Sequence, residues 1–211
     1  MTGSLYLRLA FKAFIFWLLF SLAGFFWGDK LISLLTPMYE WTIEQASKNY
    51  HADVHLNDDA ERKVILAATA LRNIVIVPGR DLEAGKTIEA SITVLHALVP
   101  LVILLTTLVV YPLKNSRQRI ALLLLGIPAL LLVSILTAPL QLLGNLEIGF
   151  MNAVQKLGYS KEVPWVIDWM LLTEGGGRWL IPLLVGILCG AAVGKFLPAK
   201  TNTPETDCKQ A

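Results

Sequence analysis

ITVLHALVPLVILLTTLVVYPL (92–113), KNSRQR (114–119) and IALLLLGIPALLLVSILTAPL (120–140) follow one another without a break, and their reading decides the fold. Each apolar block has the roughly 20 residues that an α-helix needs to cross a ~30 Å hydrocarbon core. The linker between them carries Lys114, Arg117 and Arg119 and no acid. Short loops rich in Lys and Arg stay in the cytoplasm, so the stretch reads as a transmembrane hairpin with its turn inside.

Working outward, two more apolar stretches bounded by charge lie at 14–28 and 179–197. The first extends past Asp29 and Lys30 into 31–35 before Pro37 stops it, which defines a span over 13–36. The resulting fold class is a membrane all-α core of four transmembrane helices, 13–36, 92–113, 120–140 and 179–197. A small β-rich extracytoplasmic insert at 37–91 separates helices 1 and 2. An amphipathic helical segment at 141–178 separates helices 3 and 4. Residues 1–12, the basic turn 114–119 and a disordered tail at 198–211 share the cytoplasmic side.

Composition agrees with this division. The 211 residues are 55% hydrophobic, with a mean hydropathy of +0.60, too apolar in blocks for an ordinary soluble domain. Of the 18 bases and 16 acids, eight bases, with Lys195 at the end of the fourth helix among them, and two acids fall on the inner side, +6, which leaves ten bases and fourteen acids, −4, outside. Both termini are therefore expected in the cytoplasm of a bacterial inner membrane, multi-pass. Arg8 and Lys12 precede an aromatic-rich stretch without small residues at cleavage spacing, so the segment is expected to stay uncleaved, as both export signal and anchor.

The external insert is expected to begin with Tyr39, Trp41 and Tyr50 at headgroup level and a short surface helix over 40–48. A polar, acidic loop follows over 51–62. Strands are expected at 64–71, 72–77 and 87–93, with Pro78-Gly79 beginning a turn and 81–85 a polar loop. In the second external segment Leu143, Leu146, Phe150, Val154 and Leu157 make an apolar stripe opposite Asn145, Asn152 and Lys156, the pattern of an interfacial helix. After Pro164, Trp165, Trp169 and Leu172 share a face, with Asp168 and Glu174 elsewhere. Gly175-Gly176-Gly177 then turns the chain into Arg178, Trp179 and the last helix.

Few residues suit chemistry. Ionisable groups inside a membrane are costly and so point to function, yet Asp29, Lys30 and Lys195 sit at helix ends, where they reach headgroups. This counts against a pump or a coupled transporter. His96, near the outer end of the second helix, can act as a base or relay, or simply bond a neighbouring helix. Cys189 lies ~15 Å deep at 1.5 Å per residue from Trp179, too far inside to pair with His96. Its neighbours Gly190, Ala191, Ala192 and Gly194 form a small-residue face for close helix contact. Cys189 and Cys208 do not make a disulfide pair. His51, Asp53, His55, Asp58 and Asp59 lack the context of a zinc motif and read as a solvated loop. No metal, cofactor or nucleic-acid site is expected: there is no Walker sequence, no Gly-x-Ser-x-Gly and no basic stripe with interleaved aromatics.

The plan is a basic N-terminus and first helix, a β-rich insert ending directly in Ile92-Thr93-Val94-Leu95-His96-Ala97-Leu98-Val99-Pro100-Leu101, and a basic turn with a third helix. An external amphipathic segment and a last helix opening Arg178-Trp179-Leu180-Ile181-Pro182 complete it. This order resembles the small integral membrane proteins associated with exosortases, in particular the exosortase H-associated family of Gram-negative bacteria. The resemblance implies a non-enzymatic inner-membrane accessory to a system that processes exported proteins bearing a C-terminal sorting helix. Exosortases use a membrane-associated Cys, Arg and His. This chain lacks their Cys-Ser-Gly context and carries Cys189 toward the wrong side, so no catalytic role transfers.

The expected role is a scaffold whose partners are the lipid bilayer and an exosortase or its membrane-anchored substrates, with a homo-oligomer left open. Its interaction residues are His96, Trp165, Asp168, Trp169, Glu174, Arg178 and Trp179, and an edge of the small sheet is a place for a partner strand. Two alternatives remain: a membrane enzyme in which His96 converges with Glu147, Asp168 and Glu174, or a small oligomeric transporter or channel.

Overall fold

The computed structural model describes residues 3–57, 62–71, 73–77, 80–113, 115–156 and 162–197. The expected turn at Pro78-Gly79, the expected tail at 198–211 with Cys208, and Leu157, Asp58 and Asp59 lie outside these residues. The chain is mostly helical with one three-stranded sheet. Its elements are α1 (Gly3–Ala46), β1 (Tyr50–Asn57), β2 (Lys63–Ala70), β3 (Ile74–Val77), β4 (Arg80–Leu82), β5 (Thr87–Thr93), α2 (Val94–Val110), α3 (Ser116–Lys156), α4 (Trp165–Leu172) and α5 (Arg178–Phe196). Three helical stretches are long and apolar enough to cross a membrane: Tyr6–Ala46, Ser116–Lys156 and Trp165–Phe196; Val94–Val110 is apolar but shorter.

α2 is the central element, packed by α1, α3 and α5. Close approach is arranged by glycines on its neighbours. A Cβ at Gly126 would lie 2.8 Å from Leu108 Cδ1, one at Gly186 2.7 Å from Thr107, and one at Gly190 2.5 Å from the Tyr111 ring. The small-residue face expected around Cys189 is thus occupied by α2 at Gly190, while Gly194 meets nothing within 4 Å. The buried Gln118 donates to Leu197 O at 2.6 Å, which ties the start of α3 to the end of α5.

The first correction concerns helix length. Pro37 does not stop α1, which runs 44 residues, about 66 Å at 1.5 Å per residue. A mid-helix proline leaves the carbonyl four residues back without its donor. Around it, the hydroxyls of Ser33, Thr36 and Thr42 bond helix carbonyls within the preceding turn, and burial of Ile32, Tyr39 and Ile43 holds the segment straight through. The expected surface helix at 40–48 is the end of α1. Likewise α3 passes Pro139 and continues to Lys156, so the expected interfacial helix is its C-terminal half. The apolar stripe there is real, but Leu143, Leu146, Phe150 and Val154 face protein and are 8% exposed or less.

The second correction concerns the sheet. Residues 51–57 are not a loop: they belong to β1, antiparallel to β2, which pairs in turn with β5. Tyr50, Ala52 and Val54 are buried and alternate with exposed His51, Asp53 and His55. β2 starts at Lys63 and ends at Ala70. β3 begins at Ile74, and Arg80–Leu82 is a strand paired with it rather than part of a loop. The buried sheet face packs on the C-terminal halves of α1 and α3. Ile92 and Thr93 belong to β5, so α2 starts at Val94, capped by the Thr93 hydroxyl accepting from His96 N.

The glycines turn the chain as expected. Gly175-Gly176-Gly177 lies in a kink at Thr173–Gly177 that joins α4 to α5. Gly176 has φ +128°, a conformation that L side chains rarely adopt.

Candidate interaction platform

The sheet and the two long helices form a unit built from few polar contacts, each joining elements far apart in sequence. The Tyr39 hydroxyl and Ser134 Oγ are 2.9 Å apart in a buried contact that locks α1 to α3. Tyr50 stacks on Phe150 with ring centroids 6.2 Å apart and donates to Glu147 Oε1 at 3.4 Å, which seats β1 on α3. Asn145 donates to Ser91 O and holds the outer edge of β5. Among the described residues, no buried side-chain nitrogen or oxygen lacks a partner.

Arg62 joins the sheet to the helices. Its Nε and Nη2 donate to the two oxygens of Asp29 at 3.1 and 2.6 Å, and its Nη1 donates to Phe25 O at 2.9 Å. The guanidinium also lies 5.4 Å above the Phe25 ring, and the Arg62 carbonyl accepts from Val94 N. One residue with φ +45° therefore fixes α1, the start of β2 and the first turn of α2 together. Such a bidentate, charge-assisted contact sets orientation as well as energy.

The outer edge of β1 is closed by α1. In the antiparallel ladder, Ala52 and Val54 point their N–H groups away from β2. There Glu44 Oε1 accepts from Ala52 N at 3.4 Å and Glu40 Oε1 from Val54 N at 3.0 Å. Glu44 also bonds His51 Nδ1 at 2.6 Å. A strand added at this edge would have to displace both carboxylates, so β1 is blunted in the way exposed edges commonly are.

What remains open is the outward sheet face. Cross-strand rows run His51–Thr69–Thr87, Asp53–Ala67–Glu89 and His55–Ile65–Ser91. Partly exposed Ala67 and Ile65 sit centrally, ringed by imidazoles, carboxylates and hydroxyls. A small apolar centre with a polar rim is the anatomy of a protein-binding patch. The region expected to be a solvated loop supplies half of that rim.

The residues singled out from sequence do not converge. His96 is exposed in the first turn of α2. Trp169 donates its indole N–H to Leu136 O at 2.7 Å, which docks α4 on α3 one turn before Pro139. Gly144 admits that docking, since a Cβ there would lie 2.7 Å from Met170 Cβ. Glu174 accepts from the buried Gln141 at 3.0 Å. Trp165 and Asp168 are exposed on α4. Arg178 is half-buried at the start of α5, and Trp179 lines a groove against α1. No hydrogen bond among the described residues links His96 to Glu147, Asp168 or Glu174, and those residues hold no cluster of three metal-ligating groups. The contacts that sequence reasoning missed, Arg62–Asp29 and Tyr50–Glu147, have no local signal. β1 did have one, the alternation of Tyr50, Ala52 and Val54.

Burial pushes the Tyr50 phenol far above its ordinary value of 10.0, and the neighbouring Glu147 carboxylate pushes the same way. The folded protein therefore keeps this phenol neutral where the unfolded chain ionises. Its stability is unaffected below pH 10.0 and falls as pH rises beyond it. In thermal melts on both sides of that pH, Tyr50→Phe is expected to flatten the alkaline loss. An unchanged slope would show that the phenol is not held as described.

The chain matches no protein-family model, no curated protein and no solved structure.

Proposed function

We propose that this chain is a four-span integral membrane scaffold that presents a rigid sheet platform outside the bilayer, as an accessory to an exosortase-type protein-sorting system. The observation that carries the reading is the excess length of two helices. α1 and α3 are about 66 and 62 Å long, against the ~30 Å of a hydrocarbon core. Their inner halves expose large hydrophobic side chains such as Phe11, Leu22, Leu124 and Leu132, far beyond the patches that soluble proteins tolerate. Their outer halves carry the sheet: one face of α1, with Ile32, Tyr39 and Ile43, and most of α3 from Ala138 to Phe150 are buried. A platform bolted to two continuous helices keeps a set height and orientation above the membrane, as presenting a membrane-anchored substrate requires.

In this reading the spans are the inner part of α1, α2, the inner part of α3, and α5. α2, about 26 Å long by its 17 residues, is the shortest and is sheltered by the other three. The basic segments 1–12 and 114–119 face the cytoplasm with the C-terminal tail, and the platform faces outward. The exosortase link is supported by the order of segments alone.

Two measurements test the proposal. A reporter fused at either terminus is expected to be active only in its cytoplasmic form, and one inserted after Lys86 only in its exported form; the reverse pattern overturns the orientation. Mild-detergent capture from native expression is expected to recover a membrane-bound processing enzyme or its substrates. Capture of neither removes the scaffold role.

A further inference from the structure

α1 and α5 both pack on α2 without packing on each other, and the gap between them is a groove open along the side of the bundle. Its widest part, about 520 Å³, lies between Leu9, Phe14 and Trp17 of α1 and the end of α2 with Tyr111 and Pro112 after it, closed on the α5 side by Trp179 and Leu183. A second cavity of about 230 Å³ shares Trp17 and Trp179 with it and continues past Ser21 to Leu95 and Leu98. A third, about 140 Å³, shares Leu95 and Leu98 and ends at Arg62. From Leu9 to Phe25 the groove follows α1 for about 24 Å.

The lining selects against a helix as occupant. Helices dock in membranes through small residues that let backbones approach. Here Gly24 and Gly28 are directed at Leu98, and Gly186 and Gly190 at α2. The groove instead presents bulky aromatic rings with slots between them. Its threonine hydroxyls are already bonded within α2, Thr106 to Val102 O and Thr107 to Ile103 O. Flexible hydrocarbon fits such a surface.

The mouth adds charge. Arg62 and Asp29 are 33% and 44% exposed in their side chains, so neither is sealed by the other. A guanidinium has five N–H donors; Asp29 and Phe25 O take three, which leaves two, and the carboxylate retains free lone pairs. A cation and an anion side by side match a phosphate and an ammonium side by side. A headgroup with net negative charge would find the cation already neutralised.

We propose that this groove binds one diacyl phospholipid with a zwitterionic phosphoethanolamine headgroup. The phosphate sits at Arg62, the ammonium at Asp29, and one acyl chain runs between α1 and α5 past Trp17 and Trp179. The proposal rests on the membrane reading above, whose own failure would be visible separately, as full-length chain recovered in the soluble fraction without detergent.

The test is native mass spectrometry of the full-length protein in mild detergent, with phosphatidylethanolamine or phosphatidylglycerol added back. One phosphatidylethanolamine per chain is expected to be retained in preference to phosphatidylglycerol. Ser21→Phe and Ala13→Phe, which fill the groove at two levels, should each lower retention about tenfold, equivalent to ~1.4 kcal/mol. Leu124→Phe, on the exposed side of α3, should leave it unchanged. Two groove variants guard against one that misfolds. Equal retention by wild type and both variants, equal retention of the two lipids, or a second copy of the chain in place of lipid would overturn the proposal.

Discussion

Gly190→Leu is expected to be the most damaging single substitution in the helical core, lowering stability in detergent by about 3 kcal/mol, the upper end of the usual cost of overpacking. The reason is geometric. Even a Cβ at Gly190 would lie 2.5 to 2.6 Å from three ring atoms of Tyr111, and a ring face cannot yield as the end of a flexible chain can. Either α5 moves off α2 or Tyr111 swings out. Gly194 supplies the control four residues on. A Cβ there meets nothing within 4 Å, so Gly194→Ala should stabilise by up to about 1 kcal/mol, the helix preference for Ala over Gly. Thermal or detergent-titration unfolding of the two variants side by side checks the pair. Equal losses would mean that α5 is not seated on Tyr111.

Arg62→Ala is expected to cost about 2 kcal/mol, since charge-assisted bidentate contacts exceed ordinary hydrogen bonds while partial exposure limits them. Four contacts vanish together: both bonds to Asp29, the bond to Phe25 O and the stacking on the Phe25 ring. Arg62→Lys should recover little of this, because an ammonium cannot make the fork. Coupling is the sharper measure. In a double-mutant cycle with Asp29→Ala, the two losses should fall well short of adding. Full additivity would show that the contact contributes nothing to stability. The effect should also reach the platform, with faster hydrogen exchange in β2 and β5, since Arg62 is their hinge to α1 and α2.

Much of the fold was legible because it depends on short-range pattern. The hairpin 92–140 shows itself by block length and by the charge between the blocks. β5 is visible as alternation that breaks at Thr93, a residue suited to cap the helix that follows. The departures have two causes. Pro37 is a strong local stop signal, and burial on the helix face around it, which sequence does not display, overrides it. His51, Asp53 and His55 drew attention as polar residues, and the apolar residues between them went unweighed. Of the candidate site residues, Trp169 and Glu174 acquired partners and a structural role, whereas His96, Trp165 and Asp168 remain exposed side chains without a shared focus.

By itself the sequence determined that there are four apolar blocks, which loops carry the bases, and where a β-rich insert interrupts the helices, because hydrophobic period and charge are properties of neighbouring residues. Only the tertiary structure decided that two of those helices continue past their apolar blocks to carry the sheet and that Arg62 reaches Asp29 across 33 positions, Ser134 meets Tyr39 across 95 and Glu147 meets Tyr50 across 97. Those pairings depend on which helix faces meet when α2 is enclosed. Contacts so distant along the chain leave no mark in its local pattern.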